Sequence, residues 1–139
     1  MTINDAIRNL MLANSTISGL ASLRLYPEGS VPQKAALPYG TYATERSEPL
    51  VSLSGITGVT VDTVRIDWYS ATAAQAQALI SATQTALHCY YGTVIIDLDS
   101  LRIQSVFQDS EESGAIDIDD GGDSRVYHGT SVYVATYEG

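Results

Sequence analysis

The hydrophobic pattern changes period once within an unbroken stretch, Val59 to Cys89, and the other segments must assemble around that stretch. From Val59 to Tyr69 apolar and polar positions alternate, with Val64, Ile66 and Trp68 on one face and Arg65 and Asp67 on the other. β-Branched and aromatic residues dominate, and no Pro or Gly follows Gly58, so the pattern predicts a strand. Ser70 and Thr72 then offer N-cap oxygens, and Ala73 to Leu87 is a run of strong helix formers. Ala76, Leu79, Ile80, Thr83, Ala86 and Leu87 recur at three- and four-residue steps, one apolar stripe in which the alanines let a helix lie close to a sheet.

The flanking segments follow the same logic. Asn4 or Thr2 caps a first helix whose stripe is Ile3, Ile7, Leu10 and Met11; it ends at Asn14-Ser15-Thr16, and Ile17 to Leu20 reads as a short buried turn. Leu23 to Tyr26 is a short strand stopped by Pro27, Glu28 to Leu37 is a loop, and Leu37 to Thr44 is extended again. Pro38 places that run at a strand start or an edge. After the second helix, Thr93 to Leu98 begins another strand. Leu101 to Phe107 alternates, with Leu101, Ile103, Ser105 and Phe107 on one side and Arg102, Gln104 and Val106 on the other. Arg125 to Tyr137 closes the chain, with Val126, His128, Thr130, Val132 and Val134 on one face and Tyr127, Tyr133 and Tyr137 on the other. The expected fold is α+β: one domain over residues 1–139, a mostly antiparallel β-sheet with two α-helices packed on one face.

Residues 45–58 leave two readings open. Leu50, Val51, Leu53 and Ile56 are apolar in a stretch that otherwise looks exposed. They belong either to a hairpin that folds back on the core or to a projecting arm that buries them against another subunit.

Composition narrows the function classes. No apolar run approaches the roughly 20 residues needed to span a bilayer, and no basic-then-apolar leader is visible, so a soluble protein made in a cytosol is expected, with no membrane partner. A lone Cys89 allows no internal disulfide. Sixteen acids against seven bases give a net charge of −9, and residues 109–123 hold seven of those acids (Asp109, Glu111, Glu112, Asp117, Asp119, Asp120 and Asp123) and no base. The remainder has nine acids and seven bases, or −2. A near-neutral body thus carries one acidic loop, and grasping a nucleic-acid backbone, which needs clustered cations, is not expected.

No catalytic motif is present: no nucleophile elbow, phosphate-binding glycine loop, H-E-x-x-H or C-x-x-C. His88 and Cys89 are consecutive and so do not face each other on a helix; a helix-terminal His interacting with the helix dipole is the expected role. A structural role is expected for His128. Asp117, Asp119, Asp120 and Asp123 resemble a calcium loop in composition, but its twelfth position holds His128 instead of Glu and flanking helices are missing. A solvated loop, or one that meets a basic partner or repels a polyanion, fits better, and no metal or other cofactor is expected. Nine tyrosines supply contact area with polar tips, which suits protein interfaces.

Several of these segments occur together in one known pattern: Leu23-Arg24-Leu25-Tyr26-Pro27, then Leu37-Pro38-Tyr39-Gly40-Thr41-Tyr42, then Val64-Arg65-Ile66-Asp67-Trp68-Tyr69-Ser70, the Ala-rich helix and a last strand containing Val132-Tyr133-Val134. In that order they resemble the tail-completion or tail-terminator family of long-tailed bacteriophages, over most of the chain. Related head–tail connector and stopper proteins of the phage neck share the architecture. The resemblance implies a structural virion protein with no enzymatic activity, made in the host cytoplasm. It would form a homo-oligomeric ring, usually a hexamer, at the head-proximal end of the tail tube. There it would end tail polymerisation and join tail to head, with the tail tube protein and a head-completion or connector protein as partners. DNA would pass through without specific binding. On that reading Leu50, Val51, Leu53 and Ile56 are a candidate assembly arm, and Asp117, Asp119, Asp120 and Asp123 line the DNA channel or dock a basic neighbour. The rival from another class is a small calcium- or ligand-binding module.

Overall fold

In the computed structural model, residues 1–53, 55–117 and 125–138 are described, with side chains at all of them except 52, 56, 113–117 and 125. The elements in chain order are α1 (Ile3–Leu12), α2 (Ser15–Ala21), β1 (Leu25–Pro27), β2 (Tyr39–Ser52), β3 (Gly55–Ser70), α3 (Ala73–Leu87), β4 (Gly92–Ile96), β5 (Asp99–Asp117) and β6 (Arg125–Glu138). The strands form one sheet in the order β1-β2-β3-β6-β5-β4. Every neighbouring pair is antiparallel except β1 and β2, so the sheet is mixed. The described helices number three rather than the expected two. The extra one, α2, starts where a turn is expected: Asn14 Oδ1 accepts the backbone N–H groups of Thr16 and Ile17 at 3.0 and 3.2 Å, and Ile17 and Ala21 are buried. A residue that reads as a stop for α1 is the cap of the next helix.

The strand and helix at the centre of the pattern form the core. Val64, Ile66 and Trp68 are fully buried, and so are Leu79, Ile80, Thr83 and Leu87, with Ala76 nearly so, on α3, which packs against β3, β5 and β6. Thr72 caps α3 by accepting from the Gln75 N–H, and Thr2 with Asp5 forms a capping box on α1. Trp68 Nε1 donates to Thr83 Oγ1 at 2.8 Å, and that hydroxyl donates to Leu79 O at 2.7 Å, so the indole's one polar atom is satisfied inside the core. Opposite Trp68 in the register stands Gly40. A Cβ there would meet Trp68 ring carbons at 2.7 and 2.8 Å and Leu25 Cδ1 at 2.9 Å, so only glycine admits the indole.

Strand β5 departs from simple alternation, whereas β6 keeps it. A bulge between Ile103 and Ser105 shifts β5 by one position. Leu101, Ile103 and Val106 are therefore buried, while Phe107, expected on the side of Leu101, is 52% exposed. In β6 the tyrosine side lies under the helices: Ser131, Tyr133 and Ala135 are fully buried, and Val132 and Val134 lie half-buried on the other face.

Trp68→Ala is expected to cost about 3–5 kcal/mol in urea unfolding. Gly40→Ala should cost about 1–3 kcal/mol, by overpacking against the same ring. Tyr133 gives a pH-dependent test. Burial pushes its phenol up to about 12, whereas an unfolded tyrosine ionises near about 10. The unfolded chain releases the proton first, so this stabilisation is whole below about pH 10 and is lost as pH climbs towards about 12. Among the described residues the hydroxyl has no hydrogen-bond partner, although the Ser131 side chain acts on it. Tyr133→Phe should therefore leave stability at neutral pH unchanged or higher, and flatten its decline in alkali.

Candidate functional site

The 45–58 stretch is a hairpin in which β2 and β3 continue past the rest of the sheet. The last β3–β6 pair is Val59 with Glu138, while β2 and β3 remain paired as far as Ser52 with Gly55. The arm beyond Val59 is thus two strands wide. Leu50, Val51 and Leu53 are 48%, 63% and 111% exposed, so these side chains do not fold back on the core. The Ile56 side chain lies outside the described residues. Glu45, Arg46, Glu48 and Pro49 sit nearer the arm's base, and Arg46 pairs with Glu48.

The acidic stretch is not a loop throughout. Asp109 to Asp117 continue β5 in register with β6, ending with Asp117 opposite Arg125. This corrects the 109–123 boundary: Asp109, Glu111 and Glu112 are exposed side chains on a strand. Asp119, Asp120 and Asp123, and the side chain of Asp117, lie outside the described residues. From Ser110 onward β5 pairs only with β6, so the acids decorate a sheet edge. Carboxylates along an edge disfavour strand addition by another chain. The same edge is covered higher up by the end of α3: Cys89 N–H donates to Val106 O at 2.7 Å, and His88 Nδ1 accepts the Gln108 N–H at 3.0 Å. His88, at the C-terminal end of α3, thus ties the helix to β5 through Nδ1.

The helix-free face carries a network that alternation alone does not show. Register places Tyr39, Tyr69 and His128 side by side on three strands. Their rings stack, Tyr39 on Tyr69 at 5.0 Å and Tyr69 on His128 at 4.7 Å between centroids, and Tyr26 extends the row from β1. One step along, the buried Asp67 accepts from Thr130 Oγ1 at 2.6 Å and from Arg65 Nε at 2.9 Å, and meets His128 Nε2 at 2.8 Å. The other Arg65 nitrogens hold Glu45 and Glu28, each at 2.7 Å. Arg65 therefore joins the base of the hairpin arm, the start of the 28–37 loop and β3. Its pKa lies above the ordinary value: burial opposes the charge, but Asp67, Glu28 and Glu45 together outweigh it. His128 has the structural role expected of it.

Two clefts flank these features. One, of about 360 Å³, lies between the 28–37 loop and the aromatic row, lined by Val31, Pro32, Leu37, Tyr39, Tyr69 and Val126. The other, of about 640 Å³, lies between α1 and the β4–β5 turn and is lined in part by Asp5, Arg8, Asp97 and Asp99. Among the described residues no group of three or more His, Cys, Asp or Glu side chains is placed to hold a metal ion, and no helix is long and apolar enough to cross a membrane.

Residues 5–138 match the family model described as tail completion protein gp17. The chain belongs to that family. It is a structural protein of the bacteriophage virion, a component of the tail and not an enzyme. The fold has a solved counterpart in a chain from the virion of the native gene transfer agent (GTA) particle. The TM-score is 0.71 at 17% identity, over 99% of this chain and 95% of that one. No curated protein matches the sequence. In this tail completion protein the Arg65 network ties the start of the 28–37 loop to β2 and β3. Arg65→Met should lower stability by about 1–3 kcal/mol, because three carboxylates lose their shared cation. It should also speed proteolytic cutting within residues 28–37. Unchanged cutting and melting would show that Arg65 does not anchor the loop.

Proposed function

We propose that this chain forms a closed ring of roughly six copies at the head-proximal end of the tail tube, where it stops tube growth and joins the tail to the head. The family match over residues 5–138 carries this reading. The shape of the chain supports it: a closed ring needs a heterologous contact, and an arm that holds Leu50, Val51 and Leu53 away from the body is suited to reach a neighbour. Ring size and the named tail tube and connector partners rest on the resemblance rather than on geometry. We propose likewise that residues 1–139 form a single domain.

Replacing Leu50, Val51 and Leu53 with Ser tests the arm. All three are exposed, so the change in folding stability should stay within about 0.5 kcal/mol each. Images of infected-cell lysates should then show overlong tails without heads. Tails of normal length with heads attached would remove the arm from assembly.

The acidic stretch has a second proposed role, which rests on charge alone. Seven carboxylates in residues 109–123, repeated around a ring, would repel DNA passing through it. Asp117, Asp119, Asp120 and Asp123 replaced by Asn should leave ring formation intact and slow DNA ejection at low salt, where screening is weakest. Unchanged ejection would exclude the channel role, and failed assembly would instead make this stretch a docking site for a basic neighbour.

A further inference from the structure

We infer that the apolar tip of the β2–β3 hairpin of one copy seats in the cleft beneath the 28–37 loop of the next copy. This rests on the ring reading and names the surface that receives the arm.

Position is the first argument. Tyr39 opens β2, Tyr69 is the penultimate residue of β3 and Val126 is the second residue of β6, so the cleft sits at one end of the sheet. The hairpin turn sits at the other. From Gly55 to Tyr69 an extended strand covers roughly 45 Å. The two patches therefore cannot meet within one chain, yet every copy carries both, as a head-to-tail contact requires.

Charge is the second. No Asp, Glu, Lys or Arg lies between Pro49 and Gly58, and none of the residues lining this cleft is ionisable at neutral pH. Seating the tip there strips water from no charged group. The larger cleft is a poorer receptor, since Asp5, Arg8, Asp97 and Asp99 would be desolvated. Pairing of the β2 edge with the β5 edge is disfavoured too. It would set Glu45 and Glu48 against Asp109, Glu111 and Glu112.

Preorganisation is the third. The 28–37 loop is tied at both ends: the Glu28 N–H donates to Tyr42 O at 3.0 Å, its carboxylate pairs with Arg65, and Arg24 Nε donates to Pro38 O at 2.9 Å. The cleft roof is in place before anything binds, which lowers the ordering cost of association.

Cysteine cross-linking tests the contact. With the exposed native thiol removed as Cys89→Ser, Leu53→Cys is combined with Ala35→Cys, a residue that lines the cleft. The protein is oxidised both free and in finished tails, and run on non-reducing gels beside particle sizing. The pair is expected to give a ladder of covalent oligomers ending at the ring, while either substitution alone stays monomeric, and Leu53→Cys with Leu98→Cys at the larger cleft gives none. A ring by sizing without a ladder overturns the inference and leaves the ring reading standing. Cross-linked copies without a ring keep the inference and overturn the ring reading. Neither ring nor ladder, in free protein and in tails alike, overturns both.

Discussion

Burying Trp68 is the constraint on which the rest of this fold depends. The indole needs a floor without a side chain, which Gly40 on β2 supplies, and a buried acceptor, which Thr83 on α3 supplies. Those demands fix the β2–β3 register and the placement of α3 over the sheet together. A slip of one residue in β3 would send Trp68 to the helix-free face and bring Asp67 beneath the helices. Because β3 is central, its neighbours β2 and β6 inherit that register, and the long hairpin arm at one end of the sheet is an extension of strands already fixed at their middles.

The two faces of the sheet solve different problems. Beneath the helices the residues are apolar and close-packed; Trp68 and Thr83 pair locally, while the Ser131 and Tyr133 hydroxyls are buried without a hydrogen-bond partner among the described residues. On the open face burial is achieved by a polar cluster: Asp67 is nearly as buried as the core, but it is covered by Arg65, Thr130 and stacked rings rather than by a helix. Such a cluster is specific because every member needs its partner; removing one leaves a buried group unsatisfied. The same cluster ties the start of the 28–37 loop, through Glu28, to β2 and β3.

Much of this was legible in the sequence where one period ran unbroken. The Val59–Tyr69 alternation and the Ala73–Leu87 stripe predict the core strand and helix with their correct faces, because burial on one side is what produces the period. The failures have a common cause. Alternation counts residues, and a bulge adds one without leaving a mark, so Phe107 and Val106 exchange sides in β5. Asn14 is chemically as good at opening a helix as at closing one, which hides α2. The Tyr39–Tyr69–His128 row and the Arg65 contacts join residues tens of positions apart, and nothing local to any of them announces the meeting. The exposed arm at Leu50, Val51 and Leu53 could be named as an option but not decided, because apolar residues between turn signals serve a buried hairpin equally well.

The arm's width has a mechanical consequence. The body is a six-stranded sheet backed by helices, whereas the hairpin past Val59 is a ribbon of two strands. A ribbon bends and twists far more readily than a backed sheet, and two strands alone are at best marginally stable. In any closed assembly joined through it, the small angular errors of each joint would be taken up as flexure in these ribbons. The bodies themselves could then stay undeformed, and their geometry would not have to be cut to the exact rotation that closure demands.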